Sequence, residues 1–204
     1  MNNIFDIAIN IYHYGSYVYG TYIEGISDKD YIIIVPDTAE SEQFKYDNID
    51  YNIYTESEWK NKIKNNDIEC LECAFLDKKY ILKETKKFEL IIDKNLIRKN
   101  ISSTASNSFV KCKKKLTVED SYNLRIGKKS LWHSIRLLDF GTQIMNFGQI
   151  INYQSTNEIY KQIMNASDNW NDLKEQFQPI YNKYHSEFKI AHNKNNIERW
   201  FIWV

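Results

Sequence analysis

The sequence predicts an α+β fold, with a small mixed β-sheet in the first half of the chain and helices in the second half. Residues 31–35 form a continuous apolar run that Pro36 ends, which is typical of a central strand. Short elements alternate through the first half, whereas from about residue 86 onwards apolar residues recur at helical spacing, without a convincing strand. The 204 residues are enough for one ordinary domain or two small ones.

The strands of the first half are predicted from short apolar patterns. Residues 4–12 carry isoleucine at alternate positions towards their end, so they fit a strand or a short helix, and we favour a strand near the end. Residues 31–35 form the central strand, and an acidic loop follows them. Residues 49–54 are the third candidate strand. The predicted sheet is therefore small.

Helices are predicted directly after the third strand. Thr55 or Ser57 provides the helix cap, with Glu58 in the first turn. The helices should occupy roughly residues 57–64 and 67–76. We therefore expect two short helices to follow the last strand of the sheet.

The second half of the chain is predicted to be a helical bundle. Its longest helix is expected near residues 121–146, where leucine and isoleucine form an apolar stripe. Helical spacing continues towards the end of the chain, interrupted by a loop at residues 165–171 and by Pro179. We therefore divide the chain into a core of residues 1–93 and a helical domain of residues 94–204 that packs on it.

Charged residues are unevenly distributed along the chain. Lys and Arg total 27, and so do Asp and Glu, so the whole molecule offers no general attraction to nucleic acid or to an anionic membrane. Residues 1–93 nevertheless contain 10 basic and 18 acidic side chains, whereas residues 94–136 contain 11 basic and 2 acidic ones. An acidic half beside a basic strip suits the chemistry of metal-bound polyphosphates, although lysine-rich helices are commonly only solvated surfaces.

Several classes of protein are excluded by the sequence. No apolar stretch of the sequence, residues 32–35 included, is long enough to span a membrane. The N-terminus lacks the features of a signal peptide, and three cysteines cannot all pair with one another, so we expect a cytoplasmic protein. Cys70 and Cys73 have the spacing of half a zinc site, but no second pair is present and a place in a helix core is favoured. The glycine-rich fingerprints of P-loop and Rossmann proteins are also missing from the sequence.

The most informative stretch lies between the first two predicted strands. Gly15 and Ser16 form a turn that enters a helix, where free backbone N–H groups and a hydroxyl would bind phosphate oxygens. Asp28 and Asp30 are two residues apart, so at strand spacing their carboxylates point to the same side and repel unless a cation lies between them. Such hard oxygen ligands favour Mg²⁺ or Mn²⁺ over zinc.

These residues resemble the DNA polymerase β-like nucleotidyltransferase superfamily, whose signature joins a Gly-Gly or Gly-Ser pair to an Asp-x-Asp or Asp-x-Glu motif at the start of an apolar strand. Eleven residues separate Ser16 from Asp28. The Gly-Ser-x-x-x-Gly-Thr run is most similar to the small predicted nucleotidyltransferases and the minimal nucleotidyltransferases, which usually have ten intervening residues. Lys29 also replaces the apolar residue usual in that family. The resemblance implies a nucleotidyltransferase core in residues 1–93.

A site of this kind normally needs a third carboxylate from a neighbouring strand, and Asp50 in the third predicted strand is our candidate. Asn52 would share its face at a period of two and could contact a metal-bound water or the nucleotide, whereas the opposite phase would point Asp50 to solvent. Asp47 and Glu56 are the spare candidates. Glu72 matches a glutamate of undefined role in the predicted nucleotidyltransferases.

A second group of polar residues lies in the basic strip. On a helix, Lys129, His133 and Arg136 fall within roughly 60° of one another, with an apolar stripe on another side. The pattern is similar to a Lys-x-x-x-His-x-x-Arg-Leu-Leu helix of the predicted nucleotidyltransferases. By itself it also fits a solvated helix face. An acidic motif that recruits a metal-bound triphosphate needs cationic partners, however, and these residues are the candidates for binding it.

The sequence thus predicts a Mg²⁺-dependent (or Mn²⁺-dependent) nucleotidyltransferase with an NTP donor, and ATP is the expected NTP. Asp28, Asp30 and Asp50 would hold two metal ions, while Gly15 and Ser16 would bind the β and γ phosphates. The acceptor hydroxyl is expected on RNA, such as a tRNA-like 3′ end, or on a partner protein, with pyrophosphate released. The alternative is a non-catalytic nucleotide-binding or RNA-binding module, or an antitoxin, that keeps the fold.

Overall fold

The computed structural model describes residues 4–194, 197 and 199–203. The chain divides into two compact units. The first consists of Met1–Asp93 and Arg199–Val204, and the second consists of Lys94–Glu198. The first unit contains the strands and the second contains the long helices, so the α+β class with a mixed sheet is confirmed. Among the described residues no helix combines the length and the apolar character that crossing a membrane requires.

The first unit is built on a five-stranded sheet in the order β3-β4-β2-β1-β5. Strands β2 and β4 run parallel, and the other neighbouring pairs are antiparallel. The bounds are β1 Asn10–Tyr14, β2 Lys29–Val35, β3 Glu42–Tyr46, β4 Ile49–Thr55 and β5 Ile81–Glu84. Strand β2 lies at the centre because Ile32, Ile33, Ile34 and Val35 are all fully buried, as a strand covered on both faces requires. The strands predicted at residues 31–35 and 49–54 are therefore confirmed as β2 and β4.

Three short α-helices accompany the sheet: α1 Ile4–Ile7, α2 Glu56–Lys64 and α3 Ile68–Ala74. Residues 4–12 thus contain a helical turn followed by strand β1, which combines both interpretations of that segment. Thr55, not Ser57, is the N-cap of α2. Its hydroxyl accepts a hydrogen bond from the Glu58 backbone N–H, and the Glu58 side chain accepts one from the Thr55 N–H. This capping box fixes where strand β4 ends and helix α2 begins.

The two faces of the sheet are covered differently. On one face Ala8 packs with Ile11, Ile33, Val35 and Ile53, and the partly buried side chains of α1 complete this cluster. On the other face Tyr12 stacks on Trp59 of α2, and Tyr54 packs against the same indole ring. Because side chains alternate along β2 and β4, Asp30 and Asp50 lie on the face of Tyr12, not on the face of the apolar cluster.

The described residues of the second unit form four α-helices: α4 Lys94–Thr117, α5 Leu124–Phe147, α6 Asn157–Asn165 and α7 Trp170–Lys194. Helix α5 contributes most of the interior and ends at Gly148, whose φ of 74° is the left-handed conformation that closes many helices. Its expected position near residues 121–146 is confirmed. Gly141 touches α7 closely, because an added Cβ there would lie 2.6 Å from the Phe188 ring.

Several elements differ from the sequence prediction. Strand β3 lies in the expected acidic loop and β5 was not anticipated. The expectation of no strand after about residue 86 is wrong, because β6 Glu89–Asp93 pairs antiparallel with β7 Arg199–Trp203. The predicted interruption at Pro179 is also wrong, since α7 continues through this residue. Pro179 is exposed, so the carbonyl that loses its hydrogen bond faces water, while Leu173, Phe177 and Phe188 anchor the helix in the interior.

Candidate active site

The carboxylates predicted from the sequence lie on adjacent parallel strands. Asp30 of β2 and Asp50 of β4 are direct register partners, so their side chains leave the same face of the sheet side by side. Asp28 immediately precedes β2, two residues before Asp30. All three residues are partly buried. The phase of β4 is therefore the one that brings Asp50 towards Asp30.

A lysine that the sequence analysis did not single out completes this row. Lys45 of β3 is the register partner of Asp50, and its Nζ lies 2.6 Å from Asp28 Oδ2. The hydrogen bond to Asp28 raises the pKa of Lys45, and the negative charges of Asp50 and Asp30 raise it further. The charge of this one ammonium group therefore interacts with all three carboxylates. We call Asp28, Asp30 and Asp50 the acidic cluster.

Gly15 lies against the acidic cluster. Its φ is +66°, and a Cβ built on it would lie 2.0 Å from Asp30 Oδ2 and 2.7 Å from Asp30 Cγ. Only glycine therefore allows the turn to approach Asp30 so closely. The segment Gly15–Tyr17 is a single 3-10 turn, in which Val18 and Tyr19 donate to the Gly15 carbonyl. This turn is shorter than the helix expected there.

The neighbouring serine ties the same turn to the strand that carries the carboxylates. The Ser16 hydroxyl donates to the Asp28 carbonyl over 3.5 Å, and the Ser16 carbonyl accepts a hydrogen bond from the Thr21 N–H. The turn and the start of β2 are therefore joined at Asp28 as well as at Asp30. The structure brings both members of the Gly-Ser pair to the acidic cluster.

A buried tyrosine holds the segment that follows the Gly15-Ser16 turn. Tyr19 is 5% exposed, and its hydroxyl donates a short hydrogen bond to Glu72 of α3, which is 1% exposed. Glu72 therefore anchors the segment that follows Gly15 and Ser16. Tyr17 is more exposed and packs on His13. The sequence indicated Glu72 only through its resemblance to a family glutamate, because the contact joins residues far apart in the chain.

The other polar candidates of the first unit each lie in a different environment. Asn52 lies on the same face as Asp50, one pair further along β4, and its Nδ2 is 3.5 Å from the Tyr31 carbonyl. Asp47 lies in the turn between β3 and β4 with a φ of 50°. Glu56 forms ion pairs with Lys60 and Lys86, which lower the pKa of its carboxyl. Its ion pairs give Glu56 a structural role.

The predicted phosphate ligands of the second unit lie on α5. Arg136 Nη2 donates to His133 Nδ1 over 2.8 Å, and the Arg136 guanidinium lies 5.2 Å from the Trp132 ring and 5.1 Å from the Phe140 ring. Burial, together with the Arg136 charge, lowers the pKa of His133 to about 3, so this imidazole is neutral at physiological pH. Arg136 is 2% exposed and Lys129 is partly exposed, so the three residues differ in accessibility.

Lys128, the residue before Lys129, has a structural role. It is 3% exposed, and its ammonium donates to the carbonyls of Met164 and Ala166 and to the carboxylate of Asp168. It therefore fastens the end of α6 to α5. The two neighbouring lysines of this basic segment are thus in different environments, which the sequence did not distinguish.

The acidic cluster has the chemistry of a divalent-cation site. Its side chains offer hard carboxylate oxygens, and the Gly15 turn lies directly against Asp30. Within the part of the chain that the structure describes, no group of three or more His, Cys, Asp or Glu side chains is placed so that it could hold a metal ion. Lys45 supplies the positive charge among these carboxylates. The donor set therefore fits Mg²⁺ or Mn²⁺, with Lys45 as a competing cation.

The buried cysteines have no ligand role of this kind. Cys70 and Cys73 are 1% and 5% exposed and lie on α3 as free thiols. Burial raises the pKa of both thiols well above the ordinary value, which disfavours the thiolate that metals bind. Their expected place in a helix core is confirmed.

Comparison with known proteins agrees with this arrangement. Among curated proteins, no sequence matches the chain. Residues 4–100 match the family model of the nucleotidyltransferase domain. This range contains the Gly15-Ser16 turn, the three carboxylates and the five-stranded sheet. Residues 4–100 of this chain therefore belong to the nucleotidyltransferase domain family, within the DNA polymerase β-like superfamily.

Proposed function

We propose that this protein transfers a nucleoside monophosphate, AMP in the first instance, from an NTP to an acceptor hydroxyl and releases pyrophosphate. Membership of the nucleotidyltransferase domain family supports nucleotidyl transfer in general. The observation that supports catalysis by this chain is the register pair of Asp30 and Asp50, with Asp28 two residues before Asp30. Three ionisable oxygen donors on or next to two neighbouring strands are the kind of group that a metal-bound triphosphate needs.

The roles of the residues follow from their chemistry. Asp28, Asp30 and Asp50 would hold Mg²⁺, which when bound supplies positive charge to the attacking and leaving oxygens. Gly15 and Ser16 would bind the β and γ phosphates at the turn beside Asp30. Asp50 would accept the proton of the acceptor hydroxyl. The new bond joins the acceptor oxygen to the α phosphorus, and the bond that breaks joins this phosphorus to the oxygen leading to the β phosphate.

The contribution of Lys129, His133 and Arg136 stays a prediction. The neutral His133 and the guanidinium of Arg136 are hydrogen-bonded to each other, and aromatic rings flank the guanidinium. Lys129 is partly exposed and carries a positive charge. We therefore expect Lys129→Gln to raise the KM for ATP, and we expect Arg136→Gln to destabilise the fold.

The test is transfer of labelled AMP from ATP and Mg²⁺ to a mixture of cellular RNA and protein. The double variant Asp28→Asn and Asp30→Asn should lower the transfer rate by at least about a hundredfold, because the metal ligands are lost. The control is Glu40→Gln with Asp77→Asn, which removes two exposed carboxylates of the same unit outside the cluster. Circular dichroism of both variants checks the fold. Undiminished transfer by the double variant would refute the proposal.

A non-catalytic nucleotide-binding module is the second candidate. The contact between Lys45 and Asp28 favours it, because a lysine already supplies a positive charge to the cluster. Calorimetric titration with ATP, with and without Mg²⁺, together with pyrophosphate release separates the two functions. Tight ATP binding without turnover on any acceptor pool would identify the module, whereas Mg²⁺-dependent pyrophosphate release that needs an acceptor identifies the enzyme.

A further inference from the structure

The second unit contains a groove of about 380 Å³ between α4 and α7. Buried Phe188 belongs to its lining. The α4 residues of the lining are spaced at intervals of three, four and seven, so they form a single helix face. The polar side chains that line the groove are Asn95, Arg98, Lys99, Ser102, His185 and Lys189.

The charge of this groove is one-sided. Arg98, Lys99 and Lys189 contribute three positive charges, and none of the described residues that line the groove is Asp or Glu. Within the described part of the chain, none of these three side chains forms an ion pair with a carboxylate. Other lysines of the same unit are paired, as Lys128 is with Asp168 at 2.7 Å. Cations that converge without a counter-ion repel one another, and binding an anion relieves this repulsion.

Neutral groups complete the lining. Arg98 Nη1 lies 3.4 Å from His192 Nδ1, and His192 Nε2 lies 3.2 Å from Asn95 Oδ1, so one end of the groove is held by a polar chain across the two helices. The exposed His185 ring stacks on Tyr181 with centroids 6.2 Å apart and planes 25° apart. An imidazole held flat on a tyrosine offers its open face to another planar ring.

We propose that this groove binds the phosphate backbone of a single-stranded RNA, which serves as the acceptor of the nucleotidyl group. The combination of unpaired cations with an exposed stacked ring carries the inference, because phosphates need the cations and a base needs the ring. Arg98 can hold two phosphate oxygens at once, and the two lysines add point charges. The inference rests on the proposed nucleotidyl transfer for the role of the RNA, but not for its binding.

The test measures binding of a fluorescein-labelled oligoribonucleotide of about twelve nucleotides by anisotropy. In the groove variant, Arg98, Lys99 and Lys189 are all changed to Gln. The control variant changes Lys113, Lys114 and Lys115 to Gln, which removes the same charge from the exposed end of the same helix. A second groove variant, Lys99→Gln with Lys189→Gln, keeps the contact between Arg98 and His192 in case the triple variant does not fold.

We expect the groove variant to bind RNA at least about tenfold more weakly than the unaltered protein. The slope of log K against log salt concentration for RNA binding should become smaller in magnitude by about two. The control should retain affinity within about threefold. Equal losses in both variants would overturn the proposal, because the binding would then follow net charge alone. Absence of RNA binding by the unaltered protein, or equally good competition by poly-glutamate, would also overturn it.

RNA binding and catalysis can be tested separately with two sets of variants. The variant Asp28→Asn with Asp30→Asn should bind the oligoribonucleotide as the unaltered protein does, and the groove variant should bind ATP and Mg²⁺ normally. If the groove variant loses RNA binding while the Asp variant still transfers AMP, the groove is supported and the catalytic assignment fails. If the Asp variant loses transfer and the groove variant still binds RNA, the catalytic assignment is supported and the groove proposal fails.

Discussion

The closest approach between the Gly-Ser turn and the acidic cluster gives a sharp prediction for Gly15→Ala. An added Cβ would lie 2.0 Å from Asp30 Oδ2, whereas an ordinary contact is at least 3.4 Å. The carboxylate or the turn must therefore move by about 1.4 Å, the difference between these two distances. Rotation of the carboxylate alone does not relieve the contact fully, because Asp30 Cβ is itself 3.1 Å from the new methyl group.

Two effects follow, and they have different sizes. Alanine in the left-handed region that Gly15 occupies costs about 1–2 kcal/mol of folding stability. A displacement of about 1 Å at a reacting centre costs about a hundredfold in rate. We therefore expect Gly15→Ala to remain folded, with a lower midpoint of thermal unfolding, and to lose about two orders of magnitude of AMP transfer.

Gly25→Ala is the matched control. Gly25 has a φ of +74°, similar to that of Gly15, but an added Cβ there meets no atom within 4 Å. Both variants should therefore lose the stability that a left-handed φ costs, Gly15→Ala should lose more because of its contact with Asp30, and only Gly15→Ala should lose transfer. If Gly15→Ala transfers AMP within about twofold of Gly25→Ala, the approach of the turn to Asp30 has no catalytic importance and our reasoning about this contact is wrong.

Three further predictions concern charge. Lys45→Met should tighten Mn²⁺ binding in calorimetry by about threefold or more, because the metal no longer displaces an ammonium bonded to Asp28; unchanged affinity would show that Lys45 does not compete. Because the pKa of His133 is lowered from 6.5 to about 3, the unfolded chain takes up the proton first. The free energy of unfolding should therefore fall by up to about 1.4 kcal/mol per pH unit as the pH drops from 6.5 towards about 3. In His133→Gln, the free energy of unfolding measured with urea should depend less on pH over this range. Burial raises the pKa of Cys70 and Cys73 well above the ordinary value, so iodoacetamide at about pH 8 should label them, by mass spectrometry, only after unfolding.

The parts of the fold that the sequence predicts are those with a local signal. Strand β2 is predicted because four consecutive apolar residues followed by proline fit only a short buried element. The place of Asp50 beside Asp30 follows from the period of two in β4. The cap at Thr55 is recognisable from Glu58 three residues later. In each case the residues that determine the structure are neighbours in the chain.

The missed strands lack such a signal. Strand β3 has no buried residue, and its pairing with β4 is what makes it a strand, so Lys45 could not be placed beside the carboxylates. Strands β6 and β7 are more than a hundred residues apart, and each gains its partner only in the folded chain. Local patterns do not report contacts of this kind.

The sequence contains a local signal for the environment of Arg136 that differs from its predicted role as a phosphate ligand. Trp132 and Phe140 precede and follow Arg136 by four residues, so on a helix the two rings flank its side chain. The spacing of Lys129, His133 and Arg136 on one helix face, and their resemblance to a family helix, predicted instead that Arg136 binds phosphate. Aromatic residues at this spacing indicate a guanidinium held between rings, which agrees with its 2% exposure.

The pairing of β6 with β7 has a practical consequence for dissecting the protein. Asp93 and Arg199 are register partners in an antiparallel ribbon, and a salt bridge of 2.9 Å joins their side chains. The ends between which the whole helical segment is inserted are therefore as close as the ends of a hairpin. A two-residue Asn-Gly turn can therefore join Asp93 directly to Arg199, which would give the first unit without the helical segment. Simple truncation after Asp93 would instead leave the edge of β6 bare and prone to aggregation.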